Sequence, residues 1–191
     1  MRSAEWEATP GFFLYLAILL FVLPLPWVLA ALTAGMIHEL GHLIALKSMK
    51  ISVMTVRLEA AGVRLLTAPC SDGQELVCAA AGPASGLLMG LLFPFFPRFA
   101  FCAMAQTLFN LLPLLPFDGG RVLRSGASVL LGQSRGGRLY RILERVICVG
   151  LFLGGIFLLR FSILLAIVCA SILLSCIKKR KNHILPINWG G

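Results

Sequence analysis

The chain has 191 residues, 59% of them hydrophobic and only 13% charged, with a mean hydropathy of +0.91. That balance excludes an ordinary soluble domain. The net charge of +9 reads as basic loops that orient a membrane protein on anionic lipid, and not as a nucleic-acid surface.

The N-terminal "MRSAEWEATP" is acidic and lacks the basic start and small-residue cleavage site of a signal peptide. The first apolar run, 11–25, is therefore expected to stay in the protein as a span. Pro24 and Pro26 then turn the chain into a second span, 27–46. Further spans are expected at 76–96, 99–117, 139–159 and 161–177. Only Arg160 and Ser162 interrupt the last two. One helix from 146 to 177 would be about 48 Å long, well beyond the ~30 Å apolar core, so a hairpin at Arg160 fits better.

Between the second and third spans, "ISVMTVRLEAAGVRLLT" (51–67) is rich in β-branched residues and broken at Ala60-Ala61-Gly62. It reads as a β-hairpin at the membrane surface. The segment 118–140, with "GQSRGGR", reads as a flexible basic loop. The expected fold is an all-α polytopic membrane protein, residues 1–191 forming one domain of six transmembrane helices with a small membrane-associated hairpin between helices 2 and 3.

With the N-terminus in the cytoplasm, six spans put every one of the 17 Lys and Arg residues inside except Arg98 and Arg160. With five spans the "KKRK" at 178–181 would fall outside. None of the six cysteines forms a C-x-x-C pair, and most fall in apolar runs, where they read as small buried side chains.

The second span holds "HELGH", with His38 and His42 four residues apart and Glu39 between them. On a helix this spacing puts both imidazoles on one face, about 6 Å apart along the axis, able to share one metal ion. Glu39 is close enough to handle a proton without being a ligand. That is the H-E-x-x-H arrangement of two zinc ligands and a general base. A buried histidine often has only a packing role, but ionisable groups at membrane depth are rare and usually functional. Zinc needs a third protein ligand. Glu75, Asp118 and Glu144 all lie near span ends on the same side as His42, and spacing does not choose among them.

The fourth span ends in "FNLLPLLPFDGG" (109–120). Pro113 and Pro116 each remove an N–H donor and disrupt a helix. Broken backbone at membrane depth is tolerated where it is buried in protein or lines a watery cavity. An ordinary helix end would explain the prolines and glycines, but not Asn110 within the span.

HELGH in an early span and N-x-x-P-x-x-P-x-D-G near the end of a later one resemble the site-2 protease family of intramembrane zinc metalloproteases. The "AAAGPASGLL" at 79–88 is similar to the family's A-G-P motif. The resemblance covers roughly residues 30–122. It implies His38, His42 and Asp118 as ligands of one zinc ion, Glu39 as catalytic base, and substrate contacts from Asn110 and the Pro113–Pro116 loop. It further implies a bacterial cell-membrane protein, and the charge count over six spans puts both termini in the cytoplasm. Its substrate would be a membrane-embedded or membrane-associated protein, with inhibitory membrane partners also in prospect.

Size, span number and the lack of an inserted PDZ domain look most like the sporulation-type branch, whose members process a sigma-factor precursor. Where the family often has Asn after G-P-x-x, this chain has Gly86. A C-terminal CBS domain, common in that branch, is not expected so soon after the last span.

The resemblance implies that Glu39 takes a proton from water and returns it to the leaving amine, while Asn110 holds the substrate backbone or the oxyanion. A helical substrate must first unwind, and the 51–67 hairpin offers an edge for the extended strand. The alternatives are a membrane metal-ion carrier and a catalytically inactive zinc-binding relative. Carriers usually show repeat symmetry and several broken helices, which this sequence lacks, and the base Glu39 is intact.

Overall fold

The structure, a computed structural model, describes residues 5–59 and 62–159. The described chain is mostly helical. In order it forms β1 (Glu5–Ala8), α1 (Pro10–Val22), α2 (Leu25–Ser48), β2 (Val53–Glu59), β3 (Gly62–Thr67), α3 (Asp72–Gly90), α4 (Pro97–Asn110), α5 (Asp118–Leu131) and α6 (Gln133–Leu159). It divides into two compact units, one of residues up to Leu111 and one from Leu112 onward.

In the first unit, prolines open α1, α2 and α4 at positions where the missing N–H would be unpaired in any case. The end of α2 is closed by a Schellman arrangement. Ile51 N–H donates to the Leu46 carbonyl and Lys50 N–H to the Lys47 carbonyl, with Lys50 at φ 57° where glycine is usual. α3 starts with a reciprocal capping box, in which the Ser71 hydroxyl accepts from Gln74 N–H and the Gln74 side chain accepts from Ser71 N–H.

The expected hairpin is present: β2 and β3 run antiparallel, from Val53 opposite Thr67 to Glu59 opposite Gly62. It belongs to a three-stranded sheet, because β1 pairs in parallel with β2. Glu7 and Arg57 tie these two strands, with the Arg57 Nε–H donating to the Glu7 carboxylate at 2.7 Å.

Several expected boundaries move. The first span ends earlier, at Val22, and the third begins at Asp72 and ends at Gly90. The fourth stops at Asn110, so 111–117 is irregular. The segment 118–140 is not a flexible loop: it holds all of α5 and the first two turns of α6. The expected sixth span, 161–177, and the hairpin at Arg160 lie outside the described residues.

Among the described residues, one helix, α2, is long and apolar enough to cross a membrane, and α1 is a shorter apolar helix. Large apolar side chains such as Phe21, Met36, Phe95 and Leu130 face outward. So many exposed apolar groups suit lipid better than water.

Candidate metal centre

His38 and His42 lie one turn apart on α2, and both are buried. Their rings meet edge to face with centroids 5.1 Å apart, and each offers a nitrogen within 4.8 Å of the other's. His42 Nδ1 lies 2.8 Å from the Cys78 carbonyl of α3. A carbonyl only accepts, so Nδ1 carries the proton and the Nε2 lone pair is left for a metal. This is how histidine ligands are generally oriented.

The neighbouring helix makes room for both rings at one residue. A Cβ built on Gly82 of α3 would collide with His42 Nε2 and come within 2.9 Å of His38 Nε2. The Nε2 edges of both rings therefore lie against Gly82, and a larger residue there would collide with them. Gly41 of α2 makes the reciprocal approach, its hypothetical Cβ lying 2.7 Å from the Ala81 carbonyl. Between these glycines the Ser85 hydroxyl sits 2.7 Å from the Gly82 carbonyl and 3.2 Å from that of Ile37, stitching α3 to α2. Two neighbouring imidazoles, that of His42 with its tautomer fixed, fit zinc, which takes neutral His nitrogen in just this role. Glu39 follows His38 on the same helix and is half-buried.

Gly86 lies one turn beyond Gly82. A side chain there would collide with the Thr107 hydroxyl of α4. Thr107 is fully buried and occupies the space that an asparagine at 86 would need.

Asn110 is the last residue of α4 and half-buried. In the second unit, Leu114 of the irregular segment is fully buried against Leu112, Phe117, Ile147, Cys148 and Leu151. Pro113 and Pro116 flank it, half-buried. Asp118 is the first residue of α5 and is buried. It sits at the positive end of the helix dipole, which favours its charge, and Arg121 approaches it at 3.4 Å.

The other two acids that spacing left open are engaged elsewhere. Glu75 is in the first turn of α3, with Cys70 Sγ 3.8 Å from its carboxylate. Glu144 on α6 accepts from the Tyr140 hydroxyl at 3.4 Å. The structure brings His38 and His42 together within the first unit, and adds the Cys78 carbonyl and Gly82, whose roles were not legible beforehand. The G-P pair at 82–83 was the available signal.

No protein-family model matches the chain. A protein of Synechocystis sp. (strain ATCC 27184 / PCC 6803 / Kazusa), sll0528, provisionally named a zinc metalloprotease, is 32% identical over 136 residues. That match covers 60% of this chain and 36% of the Synechocystis protein, so the chain spans about a third of that relative. Among solved structures, a site-2 protease from Methanocaldococcus jannaschii superposes with a TM-score of 0.67 over 93% of this chain and 92% of the other, at 19% identity. The second finding gives this chain the fold seen in that site-2 protease, and the first is a sequence likeness to a protein named for zinc-dependent proteolysis.

Proposed function

We propose that this chain, which has the fold of the site-2 proteases, is an intramembrane zinc metalloprotease that hydrolyses a peptide bond of a membrane-embedded or membrane-associated protein near the cytoplasmic face. The observation that carries the reading is the histidine pair. The Nε2 atoms of His38 and His42 both lie against Gly82, the two rings offer nitrogens within 4.8 Å of one another, and the Cys78 carbonyl holds the His42 tautomer that can ligate.

In this reading His38, His42 and Asp118 hold one zinc ion. When bound, zinc supplies Lewis-acid activation of water and of the scissile carbonyl. Glu39 accepts the proton from the attacking water and delivers it to the leaving amine. Asn110 and the Pro113–Pro116 loop hold the substrate backbone once it has left its helix. The burial of both histidines keeps bulk water from competing for the ion. A sigma-factor precursor or regulator is the first substrate to try, and membrane-borne inhibitory partners are the expected regulators.

The test pairs zinc content with cleavage. Purified wild-type protein should carry about one zinc per chain and cut a candidate single-span or membrane-associated substrate. Glu39→Gln should keep its zinc and lose at least ~100-fold in cleavage rate. His38→Ala should lose both. Retained cleavage in Glu39→Gln would overturn the assignment of the base. A wild-type protein that binds no zinc would overturn the reading as a whole.

A further inference from the structure

The irregular segment between α4 and α5 is fixed by side chains of its own unit. Leu114 is buried against Ile147, Cys148 and Leu151 of α6. Gly120, in the first turn of α5, lets the backbone at Leu114 and Leu115 lie directly on the helix, where any Cβ would collide with it. A polar contact adds to these. The Leu115 N–H donates to the Tyr140 hydroxyl at 3.0 Å, and that hydroxyl lies 3.4 Å from Glu144 Oε1, one turn further along α6. Tyr140 is only 3% exposed.

A buried tyrosine hydroxyl that accepts from a backbone amide and donates to a carboxylate has both hydrogen-bonding functions used. It is therefore held in one orientation. A proline-broken segment has few backbone bonds of its own, so an external acceptor for the one amide between Pro113 and Pro116 that faces α6 matters to its position.

We propose that Tyr140 is a positioning residue: oriented by Glu144, its hydroxyl latches the Leu115 amide and fixes the Pro113–Pro116 loop in the conformation that receives substrate. The substrate part rests on the protease reading above. The latch itself does not.

The experiment compares full-length wild type, Tyr140→Phe and Glu144→Gln in detergent, using hydrogen–deuterium exchange of the 112–117 segment, zinc content and cleavage kinetics. Tyr140→Phe keeps the ring and removes the acceptor. It should speed exchange at the Leu115 amide by roughly tenfold, with α2 and α3 unchanged. Zinc content should be unchanged, and KM should rise roughly five- to tenfold with kcat little altered. Glu144→Gln keeps an oxygen acceptor for the hydroxyl and should behave as wild type in all three measurements.

Unchanged exchange in Tyr140→Phe overturns the latch. Faster exchange with unchanged KM overturns the positioning role. Faster exchange throughout the chain, in Tyr140→Phe alone or in both variants, reduces Tyr140 to a packing residue and also overturns it. If wild type cleaves no substrate, the protease reading fails, and the exchange contrast alone still decides the latch.

Discussion

At the scale of single residues, the site depends on an absent side chain as much as on the ligands. Gly82 faces both histidines, and a methyl group there would collide with the His42 ring and press on His38 Nε2. Gly82→Ala should therefore cut zinc affinity by roughly 10–100-fold, as the loss of an orienting neighbour does. Gly73→Ala is the control. It lies on the same helix with nothing near its hypothetical Cβ, and it should leave zinc binding unchanged. Competition with a calibrated chelator reads both, and equal affinity in Gly82→Ala would refute the geometry. The sequence displayed His38, Glu39 and His42 plainly, because a fixed i, i+4 spacing on a helix needs no tertiary information. It could not show that Gly82 and the Cys78 carbonyl complete the histidine setting, because that depends on how α3 crosses α2.

At the scale of elements, sequence reading succeeded where apolar runs or β-branched alternation were long and local, as in α2 and the β2–β3 hairpin. It missed β1, a four-residue strand whose partner lies some fifty residues away, from Glu5 opposite Thr55 to Ala8 opposite Leu58. It also missed α5. That helix is amphipathic, yet the residues it buries include Gly119, Gly120, Ser125 and Ser128, and small residues such as Gly and Ser within a basic stretch read as a polar loop. The same smallness explains how α5 and α6 fit. A Cβ on Gly136 of α6 would collide with the Ala127 backbone of α5. Gly136→Ala should lower stability by about 1–3 kcal/mol, the usual cost of overpacking, although alanine favours the helix elsewhere. A thermal-unfolding series in detergent measures it. An unchanged or raised midpoint would mean that the two helices do not meet at this glycine.

At the scale of the whole molecule, the outstanding question is how the helices lie in the bilayer. α1 has 13 residues and α4 has 14, or about 20 Å each at ~1.5 Å per residue, short of a ~30 Å core. Helix length therefore does not fix the topology, and charge becomes the better guide. Lys47 lies in the last turn of α2 and Lys50 just after it, while Arg124, Arg135, Arg138, Arg141 and Arg145 are exposed along α5 and α6. Between these two groups, the turn that joins α3 to α4 holds no basic residue, and Arg98 stands in the first turn of α4 beside it. The positive-inside bias predicts a cytoplasmic α2–β2 connection, a cytoplasmic α5–α6 corner and an external Arg98 end of α4. Single cysteines at Ser52, Ser134 and Arg98, in a background with the native cysteines replaced, test this with a membrane-impermeant maleimide. Arg98→Cys should label in intact cells, and Ser52→Cys and Ser134→Cys only after permeabilisation. Labelling of Ser52→Cys from outside would invert the topology. It would also move the cytoplasmic end of α2, and with it His42, to the opposite face, so the same measurement decides from which side water and substrate reach the histidine pair.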